Sequence, residues 1–273
     1  MKICFSTLAC PSWRFEQVID LGARAGYEGI ELRFLEEEDS LWKLPEFTGT
    51  ALVRTKQMLR DHGLSVACVD TSCRFHSADR NERSRWVEEG VRMAELAAAL
   101  GAPGIRVFGD KIQPGRGRNS TRQWIAEGIR VLSERTLPSG VEVWLETHGD
   151  FASCAEAISI LENSGSEEAG VIWDPANGLI DGGESPGGAV GMLESKLRHV
   201  HLKDYIRRGG DWSPALTGEG EFPLHEVISA LRAMKYERFL SFEWEKKWHP
   251  EILEAEIAVP HFAQWYRQYG AAR

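Results

Sequence analysis

Two hydrophobic periods alternate along the chain. Short β-rich runs, in which successive side chains point to opposite faces, are each followed by a stretch whose apolar residues return at helical spacing. "KICFSTL" precedes "FEQVIDLGARAG", where Phe15, Val18, Ile19 and Leu21 recur at helical intervals and Gly26 is a stop. "GIELRF" precedes a helix over 52–62 ended by Gly63, and "SVACVDT" precedes a long helix through "RWVEEGVRMAELAAAL" ended by Gly101. "GIRVFG" precedes a helix over 121–135, closed by "PSG".

The second half keeps the rhythm. "VEVWLET" leads to "CAEAISILEN", "GVIWD" to a weaker helix near "VGMLESKL", and "HVHLKD" to "LHEVISALRAM". "RFLSFEW" leads to a final helix over 251–269, in which Pro260 predicts a kink or a break. Eight βα units with no composition break predict an α/β fold, one (β/α)8 TIM barrel forming a single domain over 1–273. A doubly wound sheet is the alternative, but the GxGxxG that would follow its first strand is absent. "GRGRNS" and "TGEGEF" match neither nucleotide fingerprint; the loop "RRGGDWSPALTGEGEF" is read as a phosphate cradle or a lid.

Composition narrows the partners. Hydrophobic residues make up 42% of the chain, enough for a sizeable core. The formal charge of −9 repels a phosphate backbone, so nucleic acid is excluded as a partner. Five scattered cysteines without a CxxC fit a reduced cytosol, and no apolar run reaches the roughly 18 residues of a membrane span. The start lacks an apolar leader core, so the expectation is a soluble, cytoplasmic protein with no membrane partner; a homo-oligomer stays open.

In a barrel of this kind chemistry gathers at the carboxyl ends of the strands. Four successive strands end in a ligating side chain: "VWLETHGD" in Glu146, "VIWDPAN" in Asp174, "HVHLKD" in His201 and "LSFEWE" in Glu243. Alternation lets all four face inward. Three carboxylates and one imidazole suit one divalent ion in oxygen-rich coordination, Mn²⁺ ahead of Mg²⁺, Co²⁺ and Zn²⁺. Without a cation the acids would repel one another. Any one of them alone reads equally well as a loop-solvating or helix-capping group.

Further polar groups surround these ends. In "LRHVHLKDY", His199 and Lys203 share the face of His201; His199 reads as structural, while Lys203 binds a substrate oxygen or pairs with Asp204. His148 reaches toward the ligand or is an idle loop histidine, and Asn177 contacts a substrate hydroxyl or serves turn chemistry after Pro175. Arg207 and Arg208, in the glycine-flanked loop after strand seven, clamp substrate or are solvated. Glu31 and Arg33 read as a barrel-floor network, pairing with each other or with Arg106. Trp13, Trp212 and Trp248 are candidate flat walls for a sugar, whereas Trp86, Trp124 and Trp265 read as packing.

At these residues the sequence resembles the xylose isomerase-like barrel superfamily, which groups sugar phosphate isomerases, ketose epimerases, inosose dehydratases and endonuclease IV. The resemblance spans nearly the whole chain and is carried by "LETHGD", "WDPAN", "HVHLKDY", "GEGEFPLHEVISALRAMKYERFLSFEWE" and "EKKWHPE". It implies one catalytic divalent cation held by Glu146, Asp174, His201 and Glu243, with Glu146 and Glu243 as the acid/base pair and Arg207 touching substrate. Asn177 stands where endonuclease IV-like members and ketose epimerases carry a histidine, and Ala152 where the epimerases carry another glutamate.

The activity so implied is isomerisation or epimerisation of a small polyhydroxylated carbonyl compound, by α-proton abstraction and a metal-stabilised enediolate. The alternative is a lyase of the inosose or 3-dehydroshikimate dehydratase type, with Lys203 or His148 as the acid. A sugar-binding relative without turnover comes third.

Overall fold

The computed structural model describes residues 1–270. Eight parallel strands close into a barrel in the order β1 (Lys2–Ser6), β10 (Phe239–Phe242), β7 (Leu197–Leu202), β6 (Gly170–Trp173), β5 (Glu142–Glu146), β4 (Gly104–Phe108), β3 (Ser65–Arg74) and β2 (Gly29–Leu32). The helices are α1 (Phe15–Ala25), α2 (Gly49–Asp61), α3 (Arg80–Leu100), α4 (Arg118–Thr136), α5 (Cys154–Ser164), α6 (Pro175–Ile180), α7 (Pro186–Ala189), α8 (Leu224–Ala233) and α9 (Ala255–Trp265). β8 (Asp204–Arg208) and β9 (Asp211–Ala215) pair antiparallel outside the barrel. The (β/α)8 expectation from the alternating periods is met.

The chain divides into two compact units, one of Met1–Ala67 with the chain from His201 onward, the other of Cys68–Val200. Both divisions fall inside a strand, β3 or β7. The first unit is built on aromatic packing. Phe262 of α9 stacks on Phe242 of β10 at 4.7 Å and on Tyr27 at 6.3 Å, and Tyr27 meets Phe5 of β1 edge-on at 5.0 Å. α1 buries Phe15, Val18, Ile19, Leu21 and Ala25, the stripe its sequence predicts, and stops at Gly26, whose φ of 80° is a left-handed conformation that costs glycine little.

In the second unit Trp144, Cys68 and Ile172 pack together in a fully buried cluster. α4 lies so close to Phe75 that a Cβ on Gly128 would stand 2.3 Å from the ring, so only glycine allows this contact. Asp79 caps α3 and Ser153 caps α5, each accepting a backbone N–H from the first turn.

Three segments depart from the sequence reading. The helix expected near "VGMLESKL" is replaced by two 3-10 turns after the short α7, with the poor helix former Gly191 inside the first of them. α6 forms instead directly after β6, with Pro175 at its first position. Pro260 does not break the last helix: α9 runs through it and passes into a π-helical turn at Tyr266–Gly270. No helix among the described residues is long and apolar enough to cross a membrane. The five cysteines are all buried, and no disulfide is formed among the described residues.

Candidate active site

β5 ends at Glu146, which is buried at 1% exposure in the Cys68–Val200 unit. Its Oε2 accepts a hydrogen bond of 2.6 Å from Nη1 of Arg106 on β4. That guanidinium also donates to the Thr71 carbonyl at 3.0 Å, stands 3.8 Å from Asp70 and lies over the Phe108 ring at 5.0 Å. β4 and β5 are paired in register, with Arg106 opposite Trp144 and Phe108 opposite Glu146, so a long side chain from Arg106 reaches one rung outward to the carboxylate. Arg106 therefore serves a strand end and not the barrel floor that the sequence suggested.

Asp174 is fully buried at the end of β6. Its Oδ1 caps α6, accepting from the amides of Ala176 and Asn177 at 2.9 and 3.0 Å. The capping reading of this acid is met through Oδ1. Thr147 ties the same corner together through an Oγ1 that accepts the Asp174 amide at 2.8 Å. Asn177, on the first turn of α6, donates from Nδ2 to the Thr147 carbonyl at 3.2 Å and to Glu146 Oε1 at 3.5 Å. His148 is half-buried with its ring 5.1 Å from that of Phe108, and its Nδ1 is a buried atom with no hydrogen bond. His199 stacks on Trp144 at 6.1 Å, a packing contact in keeping with the structural role expected of it.

In the other unit β7 carries His201, fully buried, between two carboxylates. Its Nε2 is 3.1 Å from Glu31 Oε2 and its Nδ1 is 3.4 Å from Glu243 Oε1. Glu31 thus stands beside the histidine, while Arg33 lies over Phe34 at 4.3 Å with Asp39 4.0 Å away. Glu243, at the end of β10, accepts from Lys203 Nζ at 2.7 Å, and the same ammonium reaches Glu245 Oε1 at 3.1 Å. Tyr205 donates to Glu245 Oε2 at 2.5 Å. Burial works against the charge on Glu245, yet Lys203 and the Tyr205 hydroxyl together hold its carboxyl below the usual range.

Asp204 does not pair with Lys203. Its carboxylate accepts backbone amides from Tyr205, Gly218, Gly220 and Phe222 at 2.8 to 3.2 Å. Burial pushes its pKa up and these four donors pull it down, burial prevailing. Three of these amides, of Gly218, Gly220 and Phe222, belong to "TGEGEF" at the end of the loop read as a phosphate cradle or a lid, and they are spent on the protein's own acid. Arg207 is exposed on the β8–β9 hairpin with its guanidinium over Trp212 at 4.7 Å, and Trp248 is 54% exposed with its ring against Phe34 at 5.8 Å. Among the described residues none of these three contacts Glu146, Asp174, His201 or Glu243.

Those four each offer a ligand atom, and the atoms lie within 4.8 Å of one another. Three buried carboxylate oxygens and one imidazole nitrogen at this spacing form a donor set that fits a divalent cation, whose charge offsets a repulsion otherwise left in low dielectric. Sequence reasoning passed over Asp70, Thr147, Tyr205 and Glu245, and did not foresee Glu31 beside His201 or Arg106 on Glu146. The one signal for Glu31 was an acid inside the apolar run "GIELRF".

No curated protein matches the sequence. Solved structures do match the fold. A probable 3-DHS dehydratase, AsbF, from Bacillus anthracis superposes with a TM-score of 0.81 at 18% identity, covering 98% of this chain and 99% of its own. The 3-keto-D-glucoside 4-epimerase YcjR from E. coli gives 0.79 at 18%, over 98% and 99%. D-psicose 3-epimerase from Clostridium cellulolyticum H10 gives 0.79 at 16%, over the full length of both chains. Such identities establish the barrel and not an activity. The model of the xylose isomerase-like TIM barrel family, however, matches residues 19–268, nearly the whole sequence, and the chain belongs to that family.

Proposed function

We propose that the chain works as one domain and is a divalent-metal-dependent isomerase or epimerase of a small polyhydroxylated carbonyl compound. The observation that carries this is the convergence of Glu146, Asp174, His201 and Glu243 as buried ligand atoms within 4.8 Å. In this reading they hold one ion, Mn²⁺ first among the candidates, which when bound polarises the substrate carbonyl as a Lewis acid. Glu243 and Glu146 form the acid/base pair, one removing the proton α to the carbonyl and the other returning it to the opposite face of the enediolate. Asn177, His148 and Lys203 contact substrate oxygens. Solved neighbours that are epimerases of sugars are consistent with this choice of substrate class.

The test is proton exchange. With Mn²⁺-loaded protein in D₂O and a panel of ketoses, NMR should show loss of the signal from the carbon beside the carbonyl. Glu243→Gln should slow the exchange at least about 100-fold, the usual weight of a general base. Full exchange by that variant, or protein that takes up no divalent ion, would overturn the proposal.

One observation favours a second reading, a dehydratase. The Lys203 ammonium, 2.7 Å from Glu243, is a proton donor placed beside the base, as expulsion of a β-hydroxyl requires. An enone absorbance that grows with inososes or 3-dehydroshikimate, without exchange on ketoses, would select it.

A further inference from the structure

His201 is the candidate ligand whose ligating atom depends on a tautomer, since either ring nitrogen can carry the lone pair that binds an ion. Its surroundings make that choice. On one edge of the ring, Nε2 is 3.1 Å from Oε2 of Glu31, a hydrogen-bond distance, and both side chains are fully buried. On the other edge, Nδ1 is 3.4 Å from Oε1 of Glu243. The shorter contact is the one to Glu31, and as a hydrogen bond with the carboxylate accepting it puts the ring hydrogen on Nε2. A neutral imidazole carries only one, which leaves the lone pair on Nδ1, the nitrogen beside Glu243.

We infer that Glu31 is a positioning residue that fixes His201 as its Nε2–H tautomer and makes Nδ1 the atom that binds the ion. The ligand half of this inference rests on the metal reading proposed above. Backbone pairing supports it: Glu31 on β2 stands opposite Ser6 of β1 in the sheet register, so the carboxylate is held by the barrel wall and not by a loop. A hydrogen bond from the non-ligating nitrogen to a carboxylate orients the ring and raises the basicity of the ligating one. The competing arrangement places a cation on Nε2 with Glu31 and His199, whose ligand atoms also cluster within 4.8 Å. That would require the Glu31–Nε2 contact to carry no hydrogen.

Two measurements decide between these. The first is calorimetric titration of Mn²⁺ into wild type, Glu31→Gln and Glu31→Ala at neutral pH. The second is ¹⁵N–¹H correlation spectroscopy of histidine-labelled, Mg²⁺-loaded protein, with the His201 signals assigned through His201→Ala. We expect one ion per chain, an affinity about 10–100-fold weaker in E31A, and a smaller loss in E31Q, whose amide oxygen still accepts the hydrogen bond. The spectrum should report a hydrogen on Nε2 and a bare Nδ1. E31Q keeps the shape of the side chain and gives a result should E31A fail to fold. A hydrogen on Nδ1, or a second equivalent of Zn²⁺ that depends on Glu31 and His199, would overturn the inference. Unchanged affinity in both variants, with wild-type binding intact, would overturn the role of Glu31 alone. Wild-type protein that binds no ion would overturn the metal reading and, with it, the assignment of Nδ1.

Discussion

Glu146 and Glu243 end their strands alike, each buried and each touched by one cation, but the cations differ in kind. Glu146 is held by Arg106, whose guanidinium spreads its hydrogen bonds over a carboxylate and the Thr71 carbonyl. Glu243 is held by Lys203, an ammonium shared with Glu245, which in turn is fastened by Tyr205. A guanidinium stays charged in proteins and fixes geometry, whereas an ammonium is a compact charge that can give up a proton. The Glu146 side is thus built to hold a carboxylate still. The Glu243 side is built as a relay, and this difference makes Glu243 the better candidate for moving the substrate proton.

The largest break in this comparison comes from Arg106→Met. It takes the guanidinium away from two interior carboxylates, Glu146 and Asp70, and urea unfolding should show a loss of about 3–4 kcal/mol, as for other buried pairs stripped of one partner. Lys203→Met should cost less, about 2–3 kcal/mol by the same measurement, because its second partner Glu245 retains 18% exposure and water takes over part of the charge.

Glu245→Gln sharpens the relay through pH. Its carboxyl is held below the usual range in the folded chain, so the stabilisation is present above the unfolded carboxylate value of about 4.3 and fades as pH falls through the lower folded value. The stability gap between wild type and E245Q, about 1.5 kcal/mol at neutral pH, should therefore close in acid. A gap that stayed constant from neutral to acidic pH would mean that Lys203 does not recognise the charge. Tyr205→Phe removes one hydrogen bond from the end of the relay and should cost about 1 kcal/mol, with the gap between R106M and wild type unchanged.

Asp174 shows how far a linear reading goes. Its place after "VIW" and before Pro175 predicted either a cap or a ligand, and the folded chain uses Oδ1 for the cap while bringing the residue into the four-ligand set. Arg207 shows the opposite case. The family resemblance implies a substrate contact for it, six residues past His201, but the loop folds into a hairpin that turns its guanidinium onto Trp212. A six-residue offset describes a position only when the backbone between is known, and the paired Gly209–Gly210 turn, with both φ positive, sends the chain back on itself.

The barrel and the acids at its strand ends are legible in the linear chain, because the periods of two and 3.6 and the glycine stops are local properties. The same alternation placed His199 and His201 on one face of β7. Which side chains pair with which is a matter of the folded chain. Arg106 meets Glu146 and Lys203 meets Glu243 across 40 positions each, and Glu31 meets His201 across 170. Those partners follow from strand register and from the closing of the sheet, which bring together side chains that no local pattern relates.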